Sequence, residues 1–244
     1  MTTPEAPAVA PTPAAPAAAP RRALRLAHRG DWRRAPENTL PALLAALAVP
    51  GCDGLEFDVQ LCGDGQPILL HDETLARVQG RPDRARDLTA AELTRHGVPT
   101  LADVLAAVPR DAFLDVELKG DPGVGIGAVA AVLEAGRGAA LDRTAISSFE
   151  PAALRAIARA RPDWPRWLNA IDLSADTIAL ATALGCVAIS VDWRAITPAT
   201  AAAAREAGLE LAAWTVRRRA TAARLDRLGV IAQCVEAAAL EGPA

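Results

Sequence analysis

The chain lacks a Cys-x-x-Cys pair, a long apolar run and a surplus of positive charge, and each absence removes a class of protein. Its four cysteines, Cys52, Cys62, Cys186 and Cys234, are dispersed, with no histidine at zinc-finger spacing. They read as reduced thiols of a cytoplasmic protein and not as a disulfide framework or a metal knuckle. A net charge of −3 carries no electrostatic footprint for a polyanion, which excludes nucleic acid as a main partner. No segment is long enough and free enough of charge to span a bilayer, so stable membrane insertion is not expected. Histidine is scarce as well, with only three in 244 residues.

What remains is a chain that is 51% hydrophobic and 23% charged, enough to bury the core of one large α/β domain or two small ones. Residues 1–21 stand apart: they are Ala- and Pro-rich, and Glu5 is the only charged side chain before position 21. Prolines interrupt this stretch too often for the apolar core of a secretory signal, so it is expected to be a disordered leader. Residues 22–244 then form the folded domain.

From Arg22 onward, short apolar runs alternate with Ala/Leu-rich helical stretches. Strands are expected at 24–27, 54–59, 112–118, 144–149, 165–169, 187–192, 209–215 and 230–235. Helices are expected at 39–48, 101–108, 125–135, 151–160, 174–183, 198–207 and 217–227. Such alternation indicates βαβ units, and eight strands at this length close a parallel (β/α)8 TIM barrel. One stretch does not fit the alternation. Gly63-Asp64-Gly65-Gln66 is a strong turn signal, and Pro67-Ile68-Leu69-Leu70 follows it as another strand with no helix between. A parallel neighbour would need a crossover. Residues 60–98 are therefore expected to be a small insertion between the second strand and its helix, with Leu61 to Leu70 forming a hairpin that returns His71 beside Asp58.

The chemistry gathers at strand ends. His28-Arg29-Gly30 closes the first strand, and in a parallel α/β fold that end is where ligands bind. In the second strand Leu55, Phe57 and Val59 face one way, while Glu56 and Asp58 face the other. The run Phe113–Lys119 repeats the pattern with Asp115, Glu117 and Lys119 inward. Inward carboxylates repel one another and are costly to desolvate, so they need a cation. Glu56, Asp58 and Glu117 are hard oxygen donors suited to Mg²⁺ or Ca²⁺ rather than zinc. Lys119 and Arg29 could alternatively neutralise them in a salt-bridged plug, which would leave His28 and His71 without a purpose.

His28-Arg29-Gly30, Pro36-Glu37-Asn38-Thr39, Glu56-x-Asp58, His71-Asp72, Glu117-Leu118-Lys119, Ser148-Phe149 and Ala213-Trp214-Thr215 occur in this order over about 22–235. In that ordered set the chain resembles the glycerophosphodiester phosphodiesterase family. The resemblance implies a divalent metal (Mg²⁺, Ca²⁺ or Mn²⁺) on Glu56, Asp58 and Glu117, and His28 and His71 as an acid–base pair. Arg29 and Lys119 would hold the phosphate, Trp214 would pack on the glycerol unit, and Asn38 and Asp72 would orient the loops carrying the two histidines. It implies a glycerophosphodiester as the small-molecule substrate, hydrolysed to glycerol 3-phosphate and an alcohol. The nucleophile, water or the substrate's own 2-hydroxyl, stays open, as does which histidine is the base. A phospholipase-type relative acting on lysophospholipids or phosphoinositides is the alternative enzyme, and a lapsed barrel serving as a binding module is the alternative outside enzymes.

Two departures from the family pattern bear on the far end. Gly229–Glu236 lacks the usual aspartates unless Glu236 replaces the last one, and Val216-Arg217 stands where an asparagine is common. Gly123-x-Gly125-x-x-Ala128 resembles a dinucleotide loop, but the charged strand before it argues against that use. Arg217-Arg218-Arg219 reads as the solvated first turn of a helix, and His96 as surface.

Overall fold

The computed structural model describes residues 22–120, 125–139, 141 and 143–241. The expected leader and residues 123 and 124 of the glycine-rich loop lie outside them. Eight parallel strands close on themselves: β1 (Leu24–His28), β2 (Gly54–Leu61), β4 (Phe113–Leu118), β5 (Thr144–Ser148), β6 (Arg166–Ala170), β7 (Ala188–Asp192), β8 (Glu210–Val216) and β9 (Ala232–Val235). β1 pairs with both β2 and β9, which shuts the barrel. The fold is a (β/α)8 barrel. Helices α1 (Leu40–Leu47), α4 (Leu101–Ala107), α5 (Ile126–Arg137), α6 (Pro151–Ala160), α7 (Ala175–Ala183), α8 (Pro198–Glu206) and α9 (Arg219–Arg227) lie between successive strands.

The insertion is where the turn signal put it. β3 (Pro67–Leu69) runs antiparallel to the end of β2, with Val59 opposite Leu69 and Leu61 opposite Pro67. α2 (Ala76–Gln79) and α3 (Ala90–Arg95) complete it. It carries its own small core of Cys62, Ile68, Leu70, Leu75, Leu93 and Val98, apart from the main one. Capping boxes start the helices on either side of the return: Thr89 with Glu92 opens α3, and Thr100 with Asp103 opens α4.

Period-2 alternation sorts the strands into two faces. Leu55, Phe57, Val59, Leu114, Val116, Ile146, Leu168, Ile189 and Val191 pack outward into the helix layer. Inward, the lower barrel holds Leu26, Ala145, Trp167, Ala188, Ala212 and Ala232. Barrel interiors are usually filled by branched aliphatics from every strand. Here alanines leave the room and the Trp167 ring, stacked on Phe113 at 5.7 Å, takes it. One step toward the C-terminal rim the inward row turns polar, and that row carries the site.

Candidate active site

The β1 tip is shaped by backbone that few residues tolerate. Arg29 (φ 59°) and Asn38 (φ 56°) both adopt the left-handed conformation, which clusters at functional sites because side chains strain it. Gly30 has φ 87°, and a Cβ there would meet the Ala42 carbonyl carbon at 2.6 Å. Only glycine lets the chain turn under α1 and leave the His28 and Arg29 side chains at the barrel mouth.

Glu56, Asp58 and Glu117 each offer a carboxylate oxygen, all within 4.8 Å of one another, and all three residues are buried. Asp58 sits opposite Glu117 in the β2–β4 register, so the inward alternation brings them side by side. Burial first, then the neighbouring charges of Asp58 and Glu117, push the Glu56 carboxyl well above its ordinary range. Burial and Asp58 push Glu117 up as well, with Lys119 opposing. Neither Glu56 oxygen has a hydrogen-bond partner among the described residues. A buried carboxylate with two orphaned hard oxygens beside two more carboxylates fits a divalent cation.

The cations expected for phosphate are at the same place. Arg29 Nε lies 2.9 Å from Asp58 Oδ2, and Lys119 Nζ lies 2.7 Å from Glu117 Oε1 and 3.4 Å from Asp58 Oδ1. Lys119 also stands 5.9 Å from the centre of the Phe149 ring, which meets Trp214 edge-on at 5.5 Å. His28, Arg29, Glu56, His71, Glu117, Lys119 and Trp214 line one cavity of about 200 Å³ at the barrel mouth. All seven were expected at the site from the sequence.

Asp58 also lies within that cluster, and Asp72 and Asn38 stand behind it. The His71 Nδ1 lies 2.6 Å from Asp72 Oδ1. Asn38 touches both places: its backbone N–H donates to the Arg29 carbonyl at 3.0 Å in the loop after His28, and its Nδ2 donates to Asp58 Oδ2 at 2.8 Å, so it also orients a carboxylate of the acidic cluster. The partner of His28 is Glu236, whose Oε1 lies 2.5 Å from Nδ1. Arg217 Nε donates to the other Glu236 oxygen at 2.7 Å. This corrects the reading of Arg217 as part of a helix turn: α9 begins at Arg219, and Arg217 is drawn across to the carboxylate at the end of β9. Burial disfavours the Glu236 charge, yet His28 and Arg217 hold its carboxyl below the usual range.

A second chain of charges was not read from the sequence at all. Arg77 of α2 bonds both Glu37 oxygens, at 2.8 and 2.7 Å, and both Asp72 oxygens, at 2.7 and 3.2 Å. Arg29 Nη1 donates to Glu37 at 2.9 Å. Arg29, Glu37, Arg77, Asp72 and His71 thus form one continuous line from the barrel to the insertion. Burial opposes the Glu37 charge, but Arg77 and Arg29 hold its carboxyl down to about 2. Asp72 is held to about 2, chiefly by Arg77. The short spacing of His71, Asp72 and Arg77 was the signal available.

Fold and site together define a (β/α)8 hydrolase-type barrel whose mouth joins an acidic cluster to two anchored histidines. A family profile described as glycerophosphoryl diester phosphodiesterase matches residues 28–238. The chain belongs to that family. A glycerophosphodiester phosphodiesterase of Caldanaerobacter subterraneus subsp. tengcongensis is 27% identical over 227 residues, covering 86% of this chain and 92% of its own. A phosphodiesterase of Oleispira antarctica, solved in complex with the product sn-glycerol-3-phosphate, is similar with a TM-score of 0.78 and 26% identity, covering 87% of this chain and 92% of its own. A structure from Silicibacter pomeroyi described as a glycerophosphoryl diester phosphodiesterase gives a TM-score of 0.76 at 25% identity, covering 89% of this chain and 90% of its own. Among the described residues no helix is long and apolar enough to cross a membrane.

Proposed function

We propose that the protein hydrolyses glycerophosphodiesters to sn-glycerol 3-phosphate and an alcohol. The observation that carries this is the meeting, around one small cavity, of two anchored histidines, two phosphate-grade cations and the Glu56 and Glu117 carboxylates, with Asp58 beside them. Family membership and the product bound by the Oleispira relative support the substrate class.

A phosphodiester resists attack because its oxygens already carry charge. Arg29 and Lys119, which flank Asp58, face that charge and orient the phosphoryl group. A divalent cation on Glu56, Asp58 and Glu117, with Mg²⁺, Ca²⁺ and Mn²⁺ all suited to the oxygen donors, would draw charge from the phosphoryl oxygens as it builds up. His28 and His71 divide proton transfer, one taking a proton from the nucleophile and the other delivering one to the departing alkoxide. Each is fixed through Nδ1 by a carboxylate, Glu236 or Asp72, which leaves Nε2 free to work toward the cavity. Trp214 and Phe149 form an aromatic wall against which the carbon chain packs.

A second reading has one observation in its favour. A larger cavity of about 420 Å³, lined by Leu61, Leu118, Ile126 and Val129, touches the reaction cavity at Lys119. It could take an acyl chain and so extend the activity to lysophospholipids. The test is product analysis on glycerophosphocholine, glycerophosphoethanolamine and lysophosphatidylcholine, each with and without EDTA. We expect glycerol 3-phosphate from the first two, abolished by EDTA and restored by Mg²⁺, Ca²⁺ or Mn²⁺. Glycerol and phosphocholine as products, or turnover unaffected by chelation, would refute the reaction or its metal. Lysophosphatidic acid from the third substrate would establish the wider specificity.

A further inference from the structure

The reaction cavity has two unlike halves. The β1–β4 side supplies the charged and titratable groups, whereas β6, β7 and β8 supply Asn169, Ser190 and Trp214, all neutral. Asn169 and Ser190 are direct partners in the β6–β7 register, so their side chains stand in one inward row. They lie one step above Trp167 and Ala188, which close the barrel beneath them.

Both side chains are buried, with 6% of Asn169 and 1% of Ser190 exposed, and neither Asn169 Oδ1 nor Ser190 Oγ has a hydrogen-bond partner among the described residues. Buried polar atoms are nearly always paired, because leaving one unpaired forfeits its hydration without return. Two such atoms side by side on one cavity wall call for a partner that enters the cavity. The wall next to them is already fixed: Trp214 Nε1 donates to the Ser190 carbonyl at 2.9 Å, which holds the indole beside the Ser190 hydroxyl.

The chemistry of the pair narrows the partner. An amide oxygen accepts from a hydroxyl, and a serine hydroxyl can both give and accept. Neither carries charge, so a second phosphate or a carboxylate gains little there. At about 200 Å³ the cavity falls below the roughly 300–1,000 Å³ of sites for drug-sized ligands. It has room for a phosphate and a three-carbon polyol, with any larger alcohol projecting out of the mouth.

We propose that Asn169 and Ser190 form a diol subsite holding the two free hydroxyls of the substrate's glycerol unit, an assignment that rests on the glycerophosphodiester reading above. A site built to bond hydroxyls rejects the analogue lacking them, because its own buried atoms are then stranded. The subsite selects for the glycerol end, while the variable alcohol meets no such demand.

Calorimetric titration of the Mg²⁺-loaded protein with sn-glycerol 3-phosphate and with propyl phosphate tests this without turnover. Two neutral hydrogen bonds set the expected preference of the unaltered protein for glycerol 3-phosphate at roughly tenfold to a hundredfold. Asn169→Ala and Ser190→Ala should each remove about three- to tenfold of it and leave propyl phosphate binding unchanged. Ser190→Ala should melt no lower than the unaltered protein, since the Oγ it deletes has no hydrogen-bond partner among the described residues. Ser190→Ala, the smaller change, carries the test alone if Asn169→Ala misfolds. Preference that survives both substitutions, as when these atoms bind only water, overturns the subsite. So does parallel weakening of both phosphates, or a lowered melting temperature of Ser190→Ala that marks a structural role. Failure of the broader reading looks different: the unaltered protein would bind neither phosphate.

Discussion

Glu236 holds the imidazole of His28 through Nδ1 at 2.5 Å, joining the end of the last barrel strand to the tip of the first across 208 positions. The contact settles how the ring is presented. With Nδ1 engaged by a carboxylate, Nε2 is the nitrogen turned toward the acidic cluster, 3.7 Å from Glu56 Oε2. Glu236→Gln keeps the size and one acceptor but loses the charge that favours this tautomer. We expect kcat to fall by about tenfold to a hundredfold with KM little changed. Nitrogen NMR of the His28 ring, in a chain with three histidines, should show a shifted tautomer balance in the variant. An unchanged His28 signal with full activity would remove Glu236 from the mechanism.

Arg77 bridges Glu37 and Asp72 and so ties the insertion to the loop after β1. Both carboxyls are held to about 2, below their unfolded values near 4. Groups with depressed pKa values add stability above the unfolded value, and that contribution is lost as pH falls from about 4 toward 2. Nearly half of the Arg77 side chain is exposed, so solvent screens the pairs, and Arg77→Ala should cost no more than roughly 1 kcal/mol at neutral pH. The activity loss should be the larger effect, about tenfold or more in kcat, with partial recovery in Arg77→Lys. Thermal melts at neutral and acid pH beside steady-state kinetics separate the two. A stability loss that fully accounts for the activity loss would make Arg77 merely structural.

The acidic cluster predicts the opposite pH trend. Glu56 and Glu117 are raised above their ordinary values by burial and mutual repulsion, and burial takes Asp115 to about 7. Raised acids keep protons that the unfolded chain has already released, so stability falls as pH rises from about 4 through 7. A divalent cation replaces those protons. Melting temperatures in EDTA should therefore drop between about pH 5 and pH 8, and Mg²⁺ should restore more of the loss at the higher pH. Equal Mg²⁺ effects at both values would mean that the ion binds elsewhere.

The barrel was legible because its strands and helices repeat with clear periods, and because Glu56-x-Asp58 and Asp115-x-Glu117 place like charges on one face of a strand. The insertion was legible from Gly63-Asp64-Gly65-Gln66, a turn that leaves no room for a crossover helix. Other features depend on contacts that local pattern does not encode. Glu37 and Arg77 are 40 positions apart and meet only because the hairpin folds back over the β1 loop. Arg217 is solvent-exposed as expected, but its bond to Glu236 depends on β9 bringing that carboxylate to it. Asn169 and Ser190 are uncharged and sit in ordinary strand sequence, so nothing distinguished them from surface polar positions before their burial was known.

The stacked Phe113 and Trp167 rings beneath the polar row have a kinetic consequence. Among the described residues that end of the barrel is filled, so the chamber opens toward the C-terminal rim. With the diol subsite proposed above, the glycerol phosphate half would lie at the closed end and the alcohol half at the opening. Release would then be ordered, with the alcohol departing first and glycerol 3-phosphate last. Product-inhibition kinetics read this order directly, with glycerol 3-phosphate competing against substrate and the free alcohol not competing.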